Sequence, residues 1–158
     1  VTYARATGTK AVHVMAGKHG DDATFRANLA HACESAPDLT ILIEALNAHD
    51  VPGYHLPTQA RAAQTCTALP FPNLRLMFDC YHVGRTEGDV LATFQRYRPL
   101  IGHVQIAAIP DRGAPDHGTT DYALLLPRLR WPNPIGAEYR PNGPTEASLS
   151  WLPALSFC

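Results

Sequence analysis

Four polar residues, Glu44, Asp79, Gln105 and Glu138, close runs that are otherwise apolar: LTILIE, LRLMFD, IGHVQ and PIGAE. They recur at intervals of roughly 30 residues, the length of one strand, one helix and their connections. A lone buried carboxylate costs several kcal/mol unless it is paired, hydrogen-bonded or bound to a metal. Three carboxylates facing one another also resist ionisation, and a divalent cation removes that repulsion. Three carboxylates plus an amide form an oxygen-only donor set, which suits Mg²⁺ or Mn²⁺ better than zinc. Any one of the four, taken alone, is equally a strand-end group facing solvent or bonding a loop; their recurrence in register is what favours a cation.

Side chains alternate along a strand, so Leu42 shares a face with Glu44, Met77 with Asp79, His103 with Gln105, and Gly136 with Glu138. Ile43, Phe78, Val104 and Ala137 then face the opposite way, toward covering helices. The pattern expects all four polar groups to point inward at one level.

Strand-length runs lie at residues 11–17, 39–46, 74–82, 101–108 and 134–140. Between them, residues 22–36 place Phe25, Leu29 and Cys33 on one helical face, with Asp22 as candidate N-cap and Pro37 beyond the end. Residues 58–69 read as an Ala-rich helix capped by Thr58, and 88–98 as a helix with Val90, Leu91 and Phe94 on one stripe, stopped by Pro99. A helix over 120–130 carries Pro127, which is expected to kink it. Strands of continuous Val, Ile, Leu and Met alternating with helices indicate an α/β fold with a parallel sheet. In such folds ligands bind at the carboxyl ends of the strands. Pro and Gly concentrate around 50–57, 110–118 and 132–144, read as loops after strands.

The 158 residues suffice for one domain, and 46% hydrophobic with 17% charged residues is a globular balance. A formal charge of -1 gives no basic surface for nucleic acid or an anionic membrane. The partner is expected to be a small molecule. Cys33, Cys66, Cys80 and Cys158 form no C-x-x-C pair, which argues for reduced thiols in a cytoplasmic protein rather than a zinc ribbon. No apolar run reaches the ~20 residues of a membrane helix.

The segments LIEALNAHDVPGYHL (42–56), FDCYHVGRTEGD (78–89), GHVQIAAIPDRGAPDHG (102–118) and GAEYRP (136–141) resemble hydroxypyruvate isomerases and the related 2-oxo-tetronate isomerases, of the xylose-isomerase-like barrel superfamily. The resemblance runs over nearly the whole chain and implies a (β/α)8 TIM-barrel fold. It implies Mg²⁺ or Mn²⁺ on Glu44, Asp79, Gln105 and Glu138, with Glu44 and Glu138 as the acid/base pair that interconverts hydroxypyruvate and tartronate semialdehyde through a cis-enediolate. It further implies that His82 and Arg112 contact substrate oxygens and that Glu87 and Asp50 support the pocket. His13 reads as a satisfied core or barrel-floor histidine rather than a ligand; His49, His55, His103 and His117 receive no role.

This chain departs from the family in two respects. Ala114 and Thr119 stand where family members usually carry acidic residues, which touches contacts in the loop from 110 to 120. The five runs correspond to strands four through eight of a barrel, and the chain opens on Val1 with its first Met at Met15. The expectation is a single partial barrel domain over 1–158, lacking three βα units, with weak or no activity in isolation and possible assembly with a second copy. The alternatives are a sugar 3-epimerase of the same superfamily, for which a His in place of Gln105 is usual, an inosose dehydratase of that superfamily, or an inactive fragment that binds metal or a partner.

Overall fold

A computed structural model of the chain describes residues 1–155; Cys158 lies outside the described residues. Five parallel strands form one sheet in chain order: β1 (Ala11–His13), β2 (Thr40–Glu44), β3 (Leu74–Asp79), β4 (Ile101–Ile106) and β5 (Ile135–Ala137). All five expected strands are present, each shorter than its apolar run. Sequential neighbours that pair in parallel, with helices between them, are the arrangement of a βα barrel wall. The chain thus forms a partial α/β barrel.

The helices form where capping and apolar spacing coincide. α2 (Asp22–Ser35) buries Phe25, Leu29 and Cys33 as expected, but its cap is Asp21, whose Oδ2 accepts the Thr24 N–H at 2.7 Å. Asp22 sits one residue inside the helix, where its side chain pairs instead with Arg26 and Arg61. α3 (Gln59–Ala68) is capped by Thr58 and α5 (Val90–Tyr97) by Asp89. α6 (Tyr122–Leu129) accommodates Pro127 because an eight-residue helix loses only one interior bond to it. Two helices have no counterpart in the expectations: α1 (Thr2–Thr7) and α4 (Cys80–Thr86). A 3₁₀ segment, Glu146–Leu155, follows β5.

The core lies on the helix side of the sheet. Ile43, Leu76, Phe78 and Val104 are fully buried there, and Phe78 meets Phe94 of α5 edge to face at 5.4 Å. Ala137, expected to join them, is exposed: it closes the short edge strand β5.

One irregularity positions the chemistry. Leu76 pairs with Ile101 but Met77 pairs with His103, so Gly102 is an extra residue in β4. A one-residue bulge reverses which side chains face inward beyond it. Without it Val104 would face the barrel interior; with it His103 and Gln105 do. A Cβ on Gly102 would lie 2.6 Å from the Arg75 Cβ and 3.0 Å from the Leu42 Cδ2. Gly102→Ala is therefore expected to lower stability by about 1–3 kcal/mol in urea unfolding.

Candidate metal and active site

Asp79 is the last residue of β3 and also the N-cap of α4. Its Oδ1 accepts the Tyr81 N–H at 2.8 Å, which turns an apolar strand directly into a helix. Its Oδ2 is buried with no hydrogen-bond partner. Glu44 ends β2 at 3% exposure, Asp79 stands at 2%, and Gln105 lies in β4 opposite Asp79 in the ladder. Glu44 pairs with Met77 and Gln105 with Gly136, so the four groups are staggered rather than level. Strand tilt in a barrel wall produces that stagger.

Three oxygens at or near the carboxyl ends of β2, β3 and β4 are buried without partners: Glu44 Oε1, Asp79 Oδ2 and Gln105 Oε1. The Gln105 amide explains its own orientation, because Nε2 donates to Glu138 Oε2 at 2.8 Å and leaves Oε1 free. Glu138 follows β5, and its N–H continues the ladder to the Ile106 carbonyl. Its side chain is 51% exposed and ion-paired with Arg112. Gln105 and Glu138 are thus tied to each other, while Glu44 and Asp79 form a more deeply buried pair.

Burial pushes the Glu44 carboxyl up to about 9, with the charges of Asp79 and Glu138 adding to it and Arg112 opposing. Burial likewise lifts Asp79 to about 7, against the pull of the Tyr81 N–H and Arg112. At Glu44 and Asp79 desolvation, ahead of repulsion between carboxylates, is what resists ionisation. Burial also lowers His82, to about 4, with Arg112 contributing. His82 Nε2 lies 3.8 Å from Asp79 Oδ2, so this contact joins a neutral ring to a carboxyl rather than forming an ion pair.

Glu44, Asp79 and His82 each offer a donor atom within 4.8 Å of the others. Two carboxylates and an amide oxygen, buried and unpartnered, have the chemistry of a hard-cation site, and the residues present fit Mg²⁺ or Mn²⁺.

The other expected residues take supporting positions. Asp50 Oδ2 accepts from Asn47 Nδ2 at 3.0 Å and from the Tyr81 hydroxyl at 2.5 Å. Glu87 Oε1 accepts the Gln59 N–H at 2.8 Å, joining the end of α4 to the start of α3. Arg112, in the left-handed region at φ 60°, lays its guanidinium 5.4 Å from the centre of the Tyr81 ring. A non-glycine residue held there often marks a functional site.

Asn47 and Tyr81, near this site, carry no expectation from the sequence, and His13 stands apart from its expected place. His13 Nε2 comes 3.5 Å from Glu44 Oε2, so this histidine borders the carboxylates instead of lying on the barrel floor. Its signal was available: His13 ends its strand as Glu44 and Asp79 end theirs. Asn47 and Tyr81 carry no periodic signal, since each acts through loop or helix-start geometry. An apolar groove between α6, β5 and the 3₁₀ segment, with Trp131, Ile135 and Trp151 in its lining, contains none of these groups.

The family described as "Xylose isomerase-like TIM barrel" matches residues 1–155. The 2-oxo-tetronate isomerase of Cupriavidus necator is 40% identical over 95% of this chain and 62% of its own length. The hydroxypyruvate isomerase of Escherichia coli K12 is 34% identical over 96% of this chain and 64% of its own. The chain therefore spans somewhat under two thirds of the length of these relatives. A crystal structure described as AP endonuclease, family 2, from Brucella melitensis superposes with a TM-score of 0.89 at 32% identity, covering 96% of this chain and 63% of that one. Parallel βα topology, carboxylates at the strand ends and a match over residues 1–155 agree: the chain belongs to the xylose isomerase-like TIM barrel family.

Proposed function

We propose that this chain carries the metal and proton-transfer residues of an isomerase acting on hydroxypyruvate or a related 2-oxo sugar acid. The observation that carries the reading is the set of three buried, unpartnered oxygens on Glu44, Asp79 and Gln105, with Glu44 and Asp79 close enough to share one ion and Gln105 opposite Asp79 in the sheet. The names of the Cupriavidus and Escherichia relatives support the substrate class.

Glu44, Asp79, Gln105 and Glu138 would hold Mg²⁺ or Mn²⁺. The cation supplies stabilisation of the negative charge that develops when a C–H beside a carbonyl ionises. Glu44 and Glu138 move the proton between adjacent carbons, one starting as base and the other as acid. Arg112 and Gln105 orient the Glu138 carboxylate, and the Arg112 charge also favours an anionic substrate. His82 donates from Nε2 to a substrate oxygen. Asp50 and Glu87 act behind the pocket, through the Asn47–Tyr81 contacts and the start of α3 respectively. Among the described residues no helix is long and apolar enough to cross a membrane, and the reading places the enzyme in cytoplasmic sugar-acid metabolism.

The test is a coupled assay for tartronate semialdehyde formed from hydroxypyruvate, with Mn²⁺ and with EDTA. It is run on the chain alone and on the chain joined to the part of the Cupriavidus relative that it does not cover. Mn²⁺-dependent turnover in either form supports the reading; its absence from both rejects it.

A further inference from the structure

Behind His82 stands a residue whose bonding is complete. Asn47 is 1% exposed and gives two N–H groups to one ring nitrogen. Its backbone N–H reaches His82 Nδ1 at 3.1 Å, and its amide Nδ2 reaches the same atom at 2.8 Å. A backbone N–H can only donate, so Nδ1 of the neutral ring carries no proton and Nε2 carries it.

The orientation of the Asn47 amide is set by chemistry as well. Nδ2 also donates to Asp50 Oδ2 at 3.0 Å, and Oδ1 accepts the Asp50 N–H at 3.0 Å. A flipped amide would set oxygen against the ring lone pair and against a carboxylate, and nitrogen against an N–H. The Tyr81 hydroxyl, bonded to the same Asp50 oxygen, closes the chain Tyr81–Asp50–Asn47–His82.

The far end of the ring is Nε2, which is buried, without a hydrogen-bond partner, and 3.8 Å from Asp79 Oδ2. A nitrogen that bears a proton has no lone pair for a cation. Proximity alone would make His82 the third ligand beside Glu44 and Asp79; the bonding on its other side opposes that.

We propose that Asn47 is a positioning residue that holds His82 as the Nε2–H tautomer, so that the ring donates to a substrate oxygen and stays off the cation. The substrate half of this statement rests on the isomerase reading; the tautomer half does not.

The experiment is long-range ¹H–¹⁵N correlation of the His82 ring in ¹⁵N-labelled protein, without metal and with Mg²⁺. The expected spectrum shows protonated Nε2 and bare Nδ1 in both states. A bare Nε2 in either state overturns the proposal, and this arm needs neither a variant nor turnover. Asn47→Asp keeps the side-chain size but turns an acceptor toward Nδ1, so Nδ1 is expected to gain a proton. In whichever form of the protein turns over hydroxypyruvate, kcat/KM should fall about 10- to 100-fold, the scale of one lost hydrogen bond in a buried site. Mn²⁺ affinity should not fall, since no ligand is changed and the added carboxylate only increases the negative charge near the cation. An unchanged kcat/KM, or an Mn²⁺ affinity that falls in parallel with it, overturns the positioning role. If no form turns over hydroxypyruvate, the isomerase reading fails and the ring spectra alone decide whether Asn47 sets the tautomer.

Discussion

Glu44→Gln is expected to abolish Mn²⁺ binding and, in the same protein, to raise resistance to urea at pH 8 in the presence of EDTA. The two effects have one cause. Glu44 is 3% exposed and its carboxyl is pushed up to about 9, from an ordinary value of 4.5. An acid whose folded value is raised is at its full stability contribution below about 4.5, and that contribution is lost as pH rises toward 9. At pH 8 the unfolded chain has released the proton and the folded chain still holds it. The folded state is therefore disfavoured by an amount on the order of several kcal/mol. Asp79, lifted to about 7, adds a smaller fall over a lower range. Gln fills the same space without titrating, so the variant should show a flatter urea midpoint between pH 5 and 9. Mn²⁺ should raise the midpoint of the parent but not of the variant, because a ligand stabilises only the state that binds it. A Glu44→Gln protein no more stable than the parent at pH 8 in EDTA, and equally stabilised by Mn²⁺, would sink this account of the buried pair.

The second large effect is expected at Gly118. This residue has φ 90°, and a Cβ placed on it would lie 2.2 Å from the Ile109 carbonyl oxygen. That oxygen cannot swing aside, because it accepts the Thr119 N–H at 2.8 Å and belongs to the loop that carries Arg112. Gly118→Ala should therefore cost about 3 kcal/mol, roughly 1–2 from the left-handed backbone and the rest from displacing main chain. The loop also delivers the Arg112 guanidinium to Glu138, so the variant should lose any turnover of the parent. Gly88→Ala is the control: φ is 83° there, but a Cβ meets nothing within 4 Å. Its cost should stay near 1 kcal/mol. Equal costs at the two positions would mean that the Ile109 contact is unimportant.

The fold was legible from the sequence because its signals are local and repeat. The three longer strands lie in runs of Ile, Leu, Val and Met, each βα unit takes about 30 residues, and Thr58 caps its helix as its type suggests. The shortfalls also have physical reasons. The run through Cys80, Tyr81 and His82 looks like a continued strand, but Asp79 caps the N–H of Tyr81 and starts α4 there. A residue that ends a strand and begins a helix gives both signals at once. The bulge at Gly102 depends on how β3 and β4 pair, which alternation within β4 alone does not encode. Alternation counted back from Gln105 found the right inward residues because it started beyond the bulge.

The candidate site was legible in part for similar reasons. Glu44 and Asp79 each close a strand and lie close enough to share one ion, and Gln105 stands opposite Asp79 one residue before the end of β4, whereas Glu138 is half exposed and held by Arg112 and Gln105. Asp50 and Glu87 sit near the site in sequence motifs but spend their carboxylates on Asn47, Tyr81 and Gln59. Asn47 carries no expectation and His13 reads only as a core or barrel-floor residue, because an Asn in a loop and a His in a short strand are ordinary on their own. Their meaning comes from the atoms they face, His82 Nδ1 and Glu44 Oε2.

The central claim is that Asp79 ends an apolar strand in order to place one unpartnered oxygen on a divalent cation. Its most direct test is titration calorimetry of Mn²⁺ into the parent and into Asp79→Asn at pH 8. The parent should bind one Mn²⁺ and release about one proton, chiefly from Glu44, whose carboxyl, lifted to about 9, still holds its proton at pH 8 and must ionise to bind. Asp79→Asn keeps a side-chain oxygen able to accept the Tyr81 N–H that caps α4, so the variant should fold, and its Mn²⁺ affinity should drop by at least about tenfold. An Asp79→Asn protein that binds Mn²⁺ as tightly as the parent would contradict the account.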